Sequence, residues 1–241
     1  MTTWWREDEQ TARALPRNGQ LLHALPEMLE AVPPEDRHLA VRVLAAPLLT
    51  APDGALADVL APTDGGAFAF VVIDGVVLKE TTLAARSALE MLGPGDVLAL
   101  PLNASQQLTS RAVSRYLAHG PVSLVALDER FRQAARRWPN LSDVLNDRLA
   151  QQTHRASMHM AMLHLPRVED RIKTFFADVG ERFGRMTTDG IVIEIRLTHE
   201  AIGRLVGSRR PTVSLALNDL AASGELRRLD GDEWLLRPTA D

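Results

Sequence analysis

The stretch GSRRPTVSLALNDL, residues 207 to 220, opens an apparent helix with two arginines and a proline, and hydroxyl and amide side chains follow. A guanidinium is a flat fork of donors that never loses its charge, and its partners are phosphate oxygens, carboxylates or the edge of a guanine. Projected at 100° per residue, Val213, Ala216, Leu217 and Leu220 share one face, while Pro211, Ser214, Leu215 and Asn218 lie opposite. Arg210 stands at the margin of that outer face. A leucine aimed at solvent beside paired arginines makes little sense for a plain surface helix. It fits a helix lying in a DNA major groove, with Leu215 against a thymine methyl.

Other chemistries find less support. The chain has no cysteine, which removes disulfides, thiolate metal sites and thiol nucleophiles. Between Val41 and Leu127 the only histidine is His119, too few for a metal triad in that segment. His154, His159 and His164 recur every five residues and so fall on different faces of a helix. No metal, cofactor or catalytic residue is expected. The net charge of −4 over 241 residues argues against a protein coated in nucleic acid and leaves room for one local basic surface. The acidic, aromatic start MTTWWREDEQ is unlike a secretory signal, and Asp74 interrupts the longest apolar stretch. A cytoplasmic protein without a membrane span is the expectation.

The elements that must position the basic edge follow from texture. Residues 1 to 40 carry short helical runs broken by Pro16, Pro26, Pro33 and Pro34. Residues 41 to 135 alternate Val/Leu/Phe-rich runs with the turn signals APDG, PTDGG, IDG and GPGD, suggesting a sandwich or barrel of roughly eight strands. Within it, FAFVVIDGVVLKE reads as a hairpin closed at Asp74-Gly75, and LEMLGPGDVLAL as a further pair of strands.

After Trp138-Pro139 a long helix is predicted within 136 to 165. Leu145, Leu149, Gln152, Ala156, His159 and Leu163 form a heptad seam along it. The seam fits either a helix packed on its own sandwich or one paired with a second copy. The second is favoured because a helix this long needs a partner. Residues 166 to 241 then read as an amphipathic helix, the strand IVIEIRL, a helix from about His199 to Val206 capped by Thr198, a turn at Gly207, and a helix opening at Ser208 or Arg209. Gly224 ends that helix, and a hairpin turning at Asp230-Gly231 follows.

LTHEAIGRLVGSRRPTVSLAL resembles the winged helix-turn-helix of the cyclic-AMP receptor/fumarate-nitrate regulator (Crp/Fnr) family of bacterial transcription factors. The likeness extends back through LPRVEDRI, the long helix and VIDGVVL…LEMLGPGDVL, covering roughly residues 40 to 238. It implies an α+β chain with an N-terminal β-roll sensor domain of the cyclic-nucleotide-binding type, a long dimerisation helix and a C-terminal winged helix-turn-helix. It further implies a homodimer on a two-fold symmetric stretch of double-stranded DNA, with RNA polymerase as a protein partner.

By resemblance Arg210 takes the place of an arginine that reads guanine, a phosphate contact being the alternative. Arg209, Thr212, Ser214, Thr198 and His199 take phosphate-contacting places; Arg227 and Arg228, flanking the wing, reach phosphate or stay solvated. Where well-known members carry glutamate and arginine for base reading, this chain has Pro211 and Leu215. The sensor half departs further. The family's nucleotide pocket needs a Gly-Glu pair where this chain has Ala99 and Leu100, its phosphate arginine falls on Arg111, and its hydroxyl pair is reduced to Ala156-Ser157. Arg111 and Ser157 remain weak candidates for an unknown small-molecule effector, and cyclic AMP is not expected to be one. The rival from a different class is a cupin-like metal enzyme or ligand-binding protein whose winged helix serves protein contacts.

Overall fold

The computed structural model describes residues 21–22, 25–44, 46, 48–60, 66–84, 86–99, 113–230 and 233–237. The chain divides into two compact units, Met1–His154 and Arg155–Asp241.

In the first unit, α1 (Pro26–Glu30), a 3-10 turn (Pro34–Asp36) and α2 (Arg37–Val43) precede β1 (Leu48–Ala51), β2 (Gly54–Ala55), β3 (Ala69–Leu83), β4 (Arg86–Leu92), β5 (Val97–Ala99) and β6 (Val113–Leu127). Among the described residues these strands form one antiparallel sheet, ordered β1-β6-β3-β4, with β2 on β6 and β5 on β3. The fifteen-residue strands β3 and β6 are its spine. Side chains alternate across a strand, and here both faces are apolar. Phe70, Val72, Leu124 and Ala126 point into one core with Leu56, Leu92 and Leu98. Val71, Val125 and Leu127 point into the other, which is closed by Leu21, Leu25 and Met28 of the leader and by Phe131, Trp138 and Leu141.

The expected hairpin at Asp74-Gly75 is not there. The chain continues straight through as β3, and the dipeptide is an irregularity at which pairing passes from Val72↔Leu124 to Asp74↔Ser123 and then Val76↔His119. A two-residue reversal of the Asp-Gly type needs positive φ at both positions. Only Gly75 has it, at +86°. The second expected pair of strands exists as β4 and β5, but they lie end to end along β3 instead of pairing with each other. Between them the GPGD turn is closed by the Gly93 amide donating to Asp96 Oδ2 at 2.9 Å and the Asp96 amide donating to the Gly93 carbonyl at 2.9 Å.

After β6, α3 (Glu129–Arg137) is capped by Asp128, whose carboxylate accepts from the Arg130 and Phe131 amides. Pro139 separates it from α4 (Asn140–Leu163), 24 residues and about 36 Å long at 1.5 Å per residue. Trp138 donates its indole N–H to Asp36 at 2.8 Å, and Arg148 Nε donates to Glu27 at 2.6 Å.

The second unit holds α5 (Val168–Phe183), β7 (Gly184–Thr187), β8 (Gly190–Ile193), α6 (His199–Leu205), α7 (Arg210–Ala222), β9 (Leu226–Arg228) and β10 (Trp234–Leu236). The strand expected over IVIEIRL exists as β8 but ends at Ile193, and it is the second half of a hairpin whose first strand, β7, turns into it through Asp189-Gly190. The wing strands extend that hairpin into one sheet, ordered β7-β8-β10-β9. Phe176 anchors the core, with Phe175 edge-on at 5.4 Å and Trp234 at 4.9 Å between ring centroids.

A Cβ at residue 75 would overlap the Pro121 carbonyl oxygen and approach Val122 Cγ1 to 2.9 Å. With the positive φ added, Gly75→Ala is expected to cost about 1–3 kcal/mol. The measurement is urea unfolding, with Gly66→Ala as the control: its φ is +62° but a Cβ there meets nothing within 4 Å.

Candidate nucleic-acid interface

The helix pair α6–α7 starts from Thr198, whose hydroxyl accepts the Ala201 amide at 3.1 Å and so caps α6. At its other end the chain must turn sharply, and Gly207 does so at φ +62°. The Val206 amide bonds to the Ile202 carbonyl at 2.8 Å and the Ser208 amide to the Gly203 carbonyl at 2.7 Å. From α5, Arg171 Nη1 donates to the carbonyls of Val206 (3.0 Å) and Gly207 (3.3 Å), a positive charge on the negative end of α6. Sequence reasoning missed Arg171, because nothing in local spacing shows that a residue 35 positions upstream caps this helix.

Helix α7 begins at Arg210 with Arg209 as its N-cap residue and Pro211 in the first turn, where a missing N–H costs nothing. Val213, Ala216, Leu217 and Leu220 are buried, as projected. Arg209, Arg210, Pro211, Thr212, Leu215 and Asn218 are exposed. Ser214 differs from the rest of its face. Its hydroxyl donates to the Arg210 carbonyl at 3.0 Å and lies 2.8 Å from Nδ1 of His199. With the hydroxyl proton directed at the carbonyl, Nδ1 carries the hydrogen of that second bond. The two residues therefore form a strut between α6 and α7 instead of two independent solvent-facing donors, which revises the place expected for Ser214.

At the far end of α7, Lys173 of α5 bonds Glu225 at 3.1 Å, and Glu225 also accepts from Ser223. The Lys173 ammonium, aided by the Ser223 hydroxyl, holds the Glu225 carboxyl below the usual carboxylate range; the same hydrogen bond to Glu225 raises Lys173.

Arg196, Thr198, His199, Glu200, Arg210 and Arg228 line one open concavity beside α7. Arg227 and Arg228 are both exposed on β9, and the Arg228 guanidinium stands 5.9 Å from the Trp234 ring centre. Arg196 is a second residue missed from sequence. It falls within the strand expected over IVIEIRL, and only the early end of β8 brings it beside the helix pair.

The expected seam on α4 needs correction. Leu145 packs against the leader-side core of its own unit. The Gln152 amide accepts from the Val97 N–H at 3.1 Å and donates to the Val97 carbonyl at 3.3 Å, so it is engaged on the sheet. Leu163 lies against the Gly207 turn, where an added Cβ would stand 3.1 Å from its Cδ2. His159 is half-buried. Heptad spacing marks any stripe packed on apolar surface, and here Leu145, Gln152 and Leu163 of the expected seam are turned onto their own chain while Leu149 and Ala156 are not. Leu149 is 41 % exposed and Met160 59 % exposed. With Thr153 and Ala156 they make a stripe of the same 4-3-4 spacing, turned roughly 50° from the expected one. Ser157 is exposed beside it, Ala99 is exposed at the end of β5, and Arg111 and Leu100 lie outside the described residues.

Among the described residues, no three His, Asp or Glu side chains come together as metal ligands, and no helix is long and apolar enough to cross a membrane. Residues 170–237 match the model of the Crp-like helix-turn-helix domain. A global nitrogen regulator of Synechococcus elongatus is 31 % identical over 120 residues, 48 % of this chain and 54 % of its own; the chain thus spans about half the length of that relative. A CRP-like cAMP-activated global transcriptional regulator of Mycobacterium tuberculosis is 29 % identical over 185 residues, 74 % of this chain and 79 % of its own. In structure, a mutant of CooA from Carboxydothermus hydrogenoformans is similar with a TM-score of 0.62 at 20 % identity, over 82 % of this chain and 86 % of that one. The fold is thus shared with such regulators along most of the chain, and residues 170–237 carry a Crp-like helix-turn-helix domain.

Proposed function

We propose that the protein is a sequence-specific regulator of transcription, working in the cytoplasm as a homodimer on a two-fold symmetric operator. The observation that carries this reading is the exposed outer face of α7. Arg209, Arg210, Pro211, Thr212, Leu215 and Asn218 stand free of the core on a helix fixed at both ends, with Arg196 and Arg228 beside it. Arg210 reads a guanine; Arg209, Thr212, Thr198, Arg227 and Arg228 hold phosphates, with His199 bracing Ser214 behind them, and RNA polymerase is the partner through which transcription is reached. The stripe Leu149, Thr153, Ala156 and Met160 joins two copies, setting two α7 helices about one DNA turn apart. The mycobacterial relative is named as cAMP-activated; here Ala99 carries no hydroxyl-binding group, so any effector is a different small molecule, with Ser157 and Arg111 as its candidate contacts.

Selecting bound fragments from genomic DNA with the purified protein tests the reading as a whole. A palindromic site, bound less tightly as salt rises, is expected, and recovery of unrelated sequences would overturn it. Arg210→Ala should lose about 1–3 kcal/mol of discrimination at one base pair per half-site, whereas Arg227→Ala weakens all sequences alike. Equal losses on every operator variant would remove Arg210 as the base contact.

For the seam, Leu149→Glu combined with Met160→Glu should give a monomer by analytical ultracentrifugation. An unchanged mass would place the interface elsewhere. Calorimetry is expected to show no micromolar binding of cyclic AMP, with operator binding complete in its absence.

A further inference from the structure

The outer face of α7 is apolar where it is most exposed. Leu215 is 66 % exposed, while Val213, Leu217 and Leu220 of the same helix are buried. Pro211 is also exposed, one turn earlier and about 40° away in projection. Rotating α7 to bury Leu215 would expose the inner row, break the His199–Ser214 strut and pull Glu225 from Lys173. Leu215 is therefore held outward by everything around it. Its surroundings carry an excess of positive charge, with Arg209 and Arg210 at the head of the helix and Arg196 and Arg228 along the neighbouring concavity, against the one acid there, Glu200. That charge matches a polyanion, not an apolar protein partner.

A leucine facing the major groove has no hydrogen bond to offer, and the one apolar group that base edges present there is the pyrimidine C5-methyl. Resting on the DNA-binding function proposed above, we propose that Leu215, flanked by Pro211, is a methyl-reading residue that selects a 5-methylpyrimidine in each half-site. In unmodified DNA that base is thymine. Leucine cannot distinguish the O4 acceptor of thymine from the N4 donor of cytosine, because it bonds to neither. The same contact therefore accepts 5-methylcytosine, and cytosine methylation at that position turns a poor operator into a good one.

The experiment changes the DNA, so the fold of the protein is not at stake. On the selected operator, each thymine of a half-site is replaced in turn by uracil, cytosine and 5-methylcytosine, and affinity is measured at fixed salt. At one position, uracil should weaken binding about fourfold, the worth of one buried CH2-sized group, and 5-methylcytosine should bind about fourfold tighter than cytosine. Leu215→Ala should show the uracil loss on the thymine operator and no further loss on the uracil operator. Additive losses, or equal affinity for cytosine and 5-methylcytosine at every position, would overturn the methyl reading while leaving an operator-binding protein. Binding that ignores sequence altogether would overturn the DNA-binding function and this inference together.

Discussion

The inner face of α7 has to be buried, and most of what is functional in the second unit follows from that requirement. Val213, Ala216, Leu217 and Leu220 are almost wholly removed from water. At roughly 25 cal/mol per Å2 of apolar surface, that row fixes the rotation of the helix more firmly than any polar contact at its surface. The polar contacts set its ends. The Gly207 turn, capped from α5 by Arg171, determines where α7 begins, the strut from His199 ties its first turns to α6, and Lys173 with Glu225 holds the far end. The outward residues are consequences of the inward ones: Arg210 and Leu215 project because their neighbours on the helix cannot.

The first unit is organised by the opposite geometry. A strand has two faces, and in β3 and β6 both are apolar, so each needs a cover. One is covered by the remainder of the sheet folding over it, the other by the leader, α3 and the start of α4. The described part of the leader is thus one wall of a core. Polar ties such as Trp138 to Asp36 and Arg148 to Glu27 give that wall a fixed register.

How much of this could be read from sequence depended on how local the determining interaction was. The helix pair was legible because cap, turn glycine, N-terminal proline and inner apolar row all fall within one stretch of 23 residues, 198 to 220. Gly75 misled because Asp-Gly has two uses, reversal and bulge, and the choice is made by a partner strand more than forty residues away. The β7–β8 hairpin carried its own Asp189-Gly190 signal, passed over because its first strand, GRMT, is barely apolar. The α4 seam was legible only in part, for a different reason. Spacing reports that a helix has an apolar stripe, and only the tertiary structure says whether that stripe faces its own chain. Arg171, Arg196 and the Gln152 clamp are contacts between distant segments, with no trace in local pattern.

The permanently charged groups on the outer face of α7 and in the concavity beside it are all arginines. The chain has only two lysines, and both are engaged elsewhere, Lys79 with Glu90 and Lys173 with Glu225. A guanidinium stays protonated at any pH a cell reaches, and acetyl transfer to a lysine amine has no target on this surface. Its charge is therefore permanent. Whatever turns the protein on or off must act on where these arginines stand, or on the ions that compete with them, because the cell has no chemical means of neutralising them by acylation.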